Sequence, residues 1–361
     1  MVKYPRPSYG QDGVRTVEGR FLYAPDKPSI FPLPDYPITP VENFKLSAAR
    51  KTPVWLPNQA VDFQCCFVPD FLEGFRVTPW GENDDIVYLD EYGCQWKYVV
   101  SAGGAMLDPK GKAVVDDITK WEKQVKFPGF VFNDSDFLEK TYDPDRVLHL
   151  DIWQGATERL VALLGGYTEA MLALAEEPEA CADFINAFTE WEIALADKLF
   201  EKYPINLITY HDDWGTERDT FFSERMMEEL VLEPTRRIVE HIKNKGAVFE
   251  LHCCGCVGRF MKYMIDLDID LLCLQSRAND LPGMKKEVGE KIGFFIVSDM
   301  ILEPEFTSDD IRTLVRNTVE TYGKGGGVYT VTLGPTPEAN WEFSSEMYAY
   351  SREYYDKDAG R

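Results

Sequence analysis

The chemistry-bearing part of this chain is the run Phe249-Glu250-Leu251-His252-Cys253-Cys254-Gly255, in which a carboxylate, an imidazole and a thiol recur at every second position. On a β-strand, side chains two apart point to the same face, so Glu250, His252 and Cys254 share one face while Cys253 points away. Oxygen, nitrogen and sulfur donors together suit Zn²⁺, and a catalytic zinc takes three protein ligands and keeps one position open for substrate. Glu250 ranks first as the third ligand beside His252 and Cys254, and Cys256 second. Cys273, Asp213 and Asp299 are further donors within reach of neighbouring strand ends. The plainer reading is a hydrogen-bonded core histidine beside buried thiols.

A second polar cluster is Tyr210-His211-Asp212-Asp213-Trp214-Gly215-Thr216, and a third is Ser298-Asp299. Asp212 and Asp213 are candidate catalytic groups with His211: they can orient the imidazole, hold a cation, or act as a general acid where burial and mutual repulsion raise one pKa. The competing role is an acidic cluster at a helix N-terminus, where it meets the helix dipole. Tyr210, Trp214, Trp153 and Asp299 are candidate substrate-binding residues, the aromatics as walls of a pocket for a flat ring, although aromatics at such positions also serve as ordinary core. Cys65 and Cys66 are adjacent on an expected strand and face opposite ways, which suits core packing better than one metal site.

These clusters need strand ends to present them. From Val147 onward short apolar segments alternate with amphipathic ones, the trace of a parallel sheet wound with helices. The pattern predicts strands at 147–152, 205–210, 247–251, 270–274, 294–297 and 328–333. Helices are predicted between them, including 157–176, 178–202, 223–245, 307–322 and a closing one at 339–355. With one or two earlier strands the count approaches eight, which favours a (β/α)8 TIM barrel whose catalytic side chains follow the strands. The run Gly323-Lys324-Gly325-Gly326-Gly327 follows a helix and precedes a strand, so it reads as a helix C-cap and tight loop, not a dinucleotide-binding loop. Residues 1–50, with eight prolines, read as an extended N-terminal arm, and 51–361 as a single barrel domain with a β-rich beginning that includes a hairpin through Asp90-Glu91-Tyr92.

The bulk properties narrow the function. A formal charge of −23 over 361 residues repels phosphate backbones and argues against nucleic-acid binding. No run of 18 apolar residues offers a membrane span, and Met1-Val2-Lys3-Tyr4-Pro5-Arg6-Pro7 lacks a signal-peptide core, which points to a cytoplasmic protein with its eight cysteines reduced.

Asp212-Asp213-Trp214-Gly215-Thr216, Glu233-Pro234, and Gly246 leading into His252-Cys253-Cys254-Gly255 resemble the uroporphyrinogen-decarboxylase-like superfamily. Asp90-Glu91-Tyr92-Gly93-Cys94-Gln95-Trp96 and Pro335-Thr336-Pro337-Glu338-Ala339-Asn340 extend the likeness over most of residues 85–350. The resemblance implies a barrel fold and either a tetrapyrrole decarboxylase or a methyltransferase that works with a separate corrinoid (cobalamin-binding) protein. The decarboxylases' Arg-Gln-Ala-Gly-Arg-like segment is missing here. In the methyltransferase branch the residues matching His252 and Cys254 hold zinc, and thiol-methylating members add a cysteine after the last strand; this chain has Thr332-Leu333-Gly334-Pro335 there instead. The reading that follows is a corrinoid-dependent methyltransferase, an O-demethylase component whose donor is a methoxylated aromatic and whose cobalamin arrives on the partner. A decarboxylase and a non-catalytic corrinoid- or tetrapyrrole-binding barrel are the alternatives.

Overall fold

The computed structural model describes residues 3–21, 24–65, 86–100, 104–131, 141–152, 154–296, 307–331, 334 and 336–358. Its centre is a parallel sheet of seven strands: β3 (Phe63–Cys65), β7 (Val147–Ile152), β8 (Leu207–His211), β9 (Val248–Cys253), β10 (Leu271–Leu274), β11 (Gly293–Ile296) and β12 (Val328–Thr330), hydrogen-bonded in that order. The sheet curls until its edges meet. The Thr330 amide donates to Pro57 O at 2.9 Å and Asn58 bridges to Thr330 in parallel, five residues before β3 begins. Helices follow the strands on the outside, giving a TIM-barrel-like α/β fold with seven strands among the described residues where about eight were predicted.

Inward and outward residues alternate along each strand, and the two sets form separate cores. Leu148, Leu150, Ile152, Ile208, Tyr210, Phe249, Leu251, Cys253, Leu272, Phe294 and Ile296 pack outward against the helices. Phe63, Val147, Leu207, Leu271, Phe295 and Tyr329 pack inward at the N-terminal ends of the strands. Strands buried on both faces read as unbroken apolar runs, which is why their existence was legible in the sequence.

The first fifty residues carry more regular structure than an extended arm. β1 (Thr16–Phe21) and β2 (Ala24–Pro32) form an antiparallel hairpin, and α1 (Pro40–Ala48) starts with a capping box between Thr39 and Glu42. Phe31 and Phe44 from these elements are fully buried against the inward core. Their burial stoppers the N-terminal end of the barrel with apolar rings. Ser47 Oγ donates to Val328 O at 2.6 Å, fixing α1 to the last strand.

Between β3 and β7 a separate antiparallel sheet runs β4 (Val87–Leu89), β5 (Gln95–Val99), β6 (Gly104–Leu107), with Val87 opposite Lys97 as the expected hairpin requires. It is tied to the barrel by buried Arg159, which donates to Asp90 Oδ2 at 2.6 Å and stacks 4.0 Å over the Tyr92 ring. The predicted helix at 157–176 is two helices, α2 (Ala156–Leu164) and α3 (Tyr167–Glu176), because Gly165 at φ +85° and Gly166 at φ +158° break the i→i−4 ladder. α4 (Pro178–Lys202) and α5 (Leu232–Asn244) follow as predicted, α5 preceded by a π-turn at 227–231. α6 (Met261–Asp266), α7 (Leu281–Val288), α8 (Ser308–Tyr322) and α9 (Pro337–Asp358) complete the ring, α8 ending on a Gly323 C-cap. No described helix is long and apolar enough to cross a membrane.

Candidate metal centre

Three loops at the C-terminal ends of β8, β9 and β10 are stitched together by backbone contact. The Cys256 amide donates to Thr216 O at 2.6 Å, the Gly255 amide to Gln275 Oε1 at 3.2 Å, and Asn279 Nδ2 donates to Gly255 O at 2.9 Å while its Oδ1 accepts from the Val257 amide. Glycines make this approach feasible. A Cβ on Gly255, which sits at φ +77°, would lie 2.1 Å from Gly215 O, and one on Gly215 would lie 2.7 Å from Cys256 O. The glycines of the two recognised motifs thus let one loop backbone lie directly on the other.

That approach brings Asp213, His252 and Cys254 together, with one donor atom from each lying within 4.8 Å of the others, all partly buried. His252 Nε2 is 3.3 Å from Cys254 Sγ, close to the roughly 3.5 Å that two ligands of one tetrahedral zinc adopt. Each member is held from behind. The Cys254 amide donates to Asp213 Oδ1 at 2.7 Å, Gln275 Nε2 donates to Cys254 Sγ at 3.3 Å, and Cys273 Sγ sits 3.2 Å from His252 Nδ1. With Nδ1 so engaged, Nε2 is left to face Cys254. Burial lowers the His252 imidazole to about 4, so it is a neutral ligand at physiological pH. Burial, aided by the charges of Asp213 and Glu158, pushes the Cys254 thiol well up, so a bound cation is what would hold it as thiolate. The N, S and O donor set fits zinc.

The donor brought beside His252 and Cys254 is thus Asp213, where Glu250 ranked first from the sequence. Glu250 does face inward with His252, but one residue pair lower in the barrel, where Thr209 Oγ1 donates to its Oε1 at 2.8 Å and Tyr329 lies beside it. Spacing along one strand could not show that Asp213, from the next strand's loop, reaches Cys254 first. The Cys256 backbone is bonded to the Thr216 loop, and Cys273 Sγ sits at the far nitrogen of the imidazole. Burial raises Glu250 to about 8. It continues a polar chain in which Gln59 Nε2 donates to His149 Nδ1 at 3.1 Å and His149 Nε2 meets Thr209 Oγ1 at 2.7 Å. His211 stands one level higher, its Nε2 3.2 Å from Asp151 Oδ1 and its ring centroid 4.6 Å from that of His252; burial drops it to about 3.

Asp212 and Asp213 part company. Asp212 Oδ1 accepts from Thr157 N, Thr157 Oγ1 and Glu158 N, and its Oδ2 from Trp214 Nε1, so it caps the N-terminus of α2 from another loop. Burial lifts it to about 6. Tyr210 and Trp214, expected as pocket walls, lie in the outward core, Tyr210 donating to Glu192 Oε2 at 2.9 Å and Trp214 wholly buried. Trp153 and Asp299 lie outside the described residues. Sequence reasoning passed over Gln275, Asn279 and Glu158. The first follows β10 directly, so the rule that sites follow strands would have found it had it been applied to every strand.

A family model described as uroporphyrinogen decarboxylase (URO-D) matches residues 91–334. No curated protein matches the sequence. Among solved structures the chain is similar to a methyltransferase from Methanosarcina mazei, at 15% identity over 64% of this chain and 73% of that one, TM-score 0.46. It is also similar to a protein described as a vitamin-B12-independent methionine synthase from Listeria monocytogenes (16%, 65% and 72%, TM-score 0.34). A third likeness is to an endo-β-1,4-xylanase from Gloeophyllum trabeum (10%, 57% and 75%, TM-score 0.36).

Proposed function

The chain belongs to the uroporphyrinogen decarboxylase (URO-D) family, and from that premise we propose that it is a methyltransferase which takes the methyl group of a methoxylated aromatic and passes it to the cobalt of a separate corrinoid protein. The observation that carries this reading is the Asp213, His252 and Cys254 donor set at the strand ends. An aryl methyl ether is inert until its oxygen is polarised, and a zinc held by three N, S and O donors would keep a fourth position for that task.

Asp213, His252 and Cys254 would hold Zn²⁺, which when bound supplies Lewis-acid polarisation of the leaving oxygen. The rest falls to the protein. Cys273 and Gln275 orient the imidazole and the thiol, the Cys254 amide fixes the carboxylate, and His211, itself leaning on Asp151, buttresses the His252 ring. Groups pre-set in this way need not reorganise as charge develops on the oxygen. Asp212 serves by position: it fixes α2, which carries Glu158 to within electrostatic range of Asp213 and Cys254.

Decarboxylation of a polycarboxylate fits less well, because the imidazoles lining the barrel are held neutral and the chain carries −23. Elemental analysis tests the metal: near-stoichiometric zinc is expected, lost in Asp213→Ala, His252→Ala and Cys254→Ser. Metal-free protein with full activity would overturn the ligand assignment. Methyl-cobalt formation from methoxylated aromatics with a reduced corrinoid protein tests the reaction, and its failure with every such donor would overturn the O-demethylase reading.

A further inference from the structure

Four of the eight exposed large apolar side chains among the described residues fall between Val87 and Met106, in or just beyond the strands of the β4–β5–β6 sheet. The register sets Val87 opposite Lys97 and Lys97 opposite Met106, with Leu89 opposite Gln95 on the same face. Alternate residues go the other way: Trp96 and Tyr98 are buried, and Tyr88 and Leu107 pack on the outward core of the barrel. A sheet that only covered the barrel would bury that face and turn a polar one to water. Here the outer face is apolar too, with Val87, Leu89 and Met106 46 to 50% exposed.

The charge on this sheet is as uneven. Asp90 and Glu91, with side chains 7% and 8% exposed, are turned onto Arg159, and buried Asp108 accepts from Gln95 Nε2 at 2.7 Å. Lys97, Lys110 and Lys112 remain. Among the described residues of 86–115 there are thus three lysines and no exposed carboxylate, on a chain that carries −23. The sheet also stands at the end of the barrel that bears the donors. Arg159, which holds Asp90, lies in the first turn of α2, and the Thr157 and Glu158 amides of that turn are held by Asp212, the neighbour of Asp213.

We propose that the outer face of the β4–β5–β6 sheet is where the corrinoid protein docks, and that the surface it offers in return is an apolar patch rimmed by carboxylates. The proposal rests on the methyl-transfer reading, which requires a cobalt carrier to reach the strand ends. Charge complementarity selects this occupant. A second copy of the chain meeting the face across a two-fold axis would bring the same three lysines together, whereas an acidic partner meets Lys97, Lys110 and Lys112 with opposite charge. The lysines steer the encounter, and the row of Val87, Leu89 and Met106 supplies apolar burial once contact is made.

The test compares two methyl acceptors with the full chain: the reduced corrinoid protein, and free cob(I)alamin, which carries the cobalt without a protein surface. Lys97→Glu and Met106→Glu should each raise KM for the corrinoid protein by about 10- to 100-fold. Both should leave the rate with free cob(I)alamin unchanged, which also shows that the variants fold. Sedimentation of the full chain with the corrinoid protein needs no turnover; it should give a complex that weakens as salt rises and is lost in Lys97→Glu. A loss shared equally by both acceptors, an unchanged KM in both variants, or wild-type self-association abolished by Met106→Glu would overturn the proposal. Transfer to free cob(I)alamin with no complex would overturn the docking surface and leave the reaction standing. No transfer to either acceptor would overturn the reading on which the proposal rests.

Discussion

At the N-terminal ends of its strands the barrel is filled by rings: Phe63 stacks on Tyr329 at 5.1 Å, Tyr329 on Phe295 at 4.2 Å, and Phe44 closes on both Phe63 and Tyr329 from below. A few residues further along β7, β8 and β9 the same inward-facing positions hold His149, Asp151, Thr209, His211, Glu250 and His252. Nothing in backbone geometry separates the two levels. The lower level gains free energy by burial; the upper one spends it on desolvating groups that want water, each hydrogen-bonded in compensation. The difference teaches that the stopper built from β2 and α1 is more than a covering arm. It supplies apolar burial directly beneath the polar level that positions His252.

If that division holds, the two levels should respond to different insults. Phe63→Ala should cost about 3–5 kcal/mol in chemical denaturation, as truncation of a buried ring does, while folded protein keeps its zinc. Loss of metal in parallel with stability would break the comparison. The next effect is on pH and should be read on metal-free protein. Glu250 is an acid whose folded value, about 8, lies above its ordinary 4.5, so the native state binds its proton more tightly than the unfolded chain. Its contribution is then full below pH 4.5, falls as pH rises between 4.5 and 8, and is constant above. The slope approaches about 1.4 kcal/mol per pH unit. Glu250→Gln should flatten that window. At the other end of the barrel, buried Lys285, which donates to Gly326 O, is lowered from 10.5 to about 8, so it adds a rise in stability between pH 8 and 10.5. A wild-type profile that rises through pH 4.5–8, with Glu250→Gln parallel to it, would contradict the upper-level account.

How much of this could be read from sequence follows the same line. The strands, the helices from α4 onward and the inward sharing of Glu250 and His252 were legible because period two and period 3.6 are local. That Asp213, one of several donors the sequence left open, is the one that joins them was not, because it depends on Gly215 and Gly255 allowing two loops to touch across 40 residues of chain. The split roles of Asp212 and Asp213 were likewise hidden. Adjacent loop residues point in different directions, and which one meets α2 is decided by where α2 starts. α1 was missed for a different reason: Thr39-Pro40-Val41-Glu42 is a capping-box pattern with proline in the first turn, but the surrounding prolines suggested extended chain.

The loop contact itself can be broken without touching a donor. Gly255→Ala must leave φ +77° or force its Cβ away from Gly215 O, so it should cost about 1–3 kcal/mol in stability and, by parting Asp213 from Cys254, most of the zinc. Retention of full zinc occupancy would show that the loops need not touch for the donors to meet.

The smallest effect separates the two neighbouring aspartates. Asp212→Ala removes the acceptor of the Thr157 and Glu158 amides at the start of α2 and should cost about 0.5–2 kcal/mol, the usual size of a lost cap, with zinc retained. Asp213→Ala leaves α2 capped and should cost the metal-free protein only about 0.5–1.5 kcal/mol, for the acceptor of the Cys254 amide, yet lose zinc. The contrast has a direct readout in paired melting curves and metal analyses. Should Asp212→Ala lose the metal while Asp213→Ala keeps it, the carboxylate at the centre is the wrong one, and the triad must be redrawn around the α2 N-terminus.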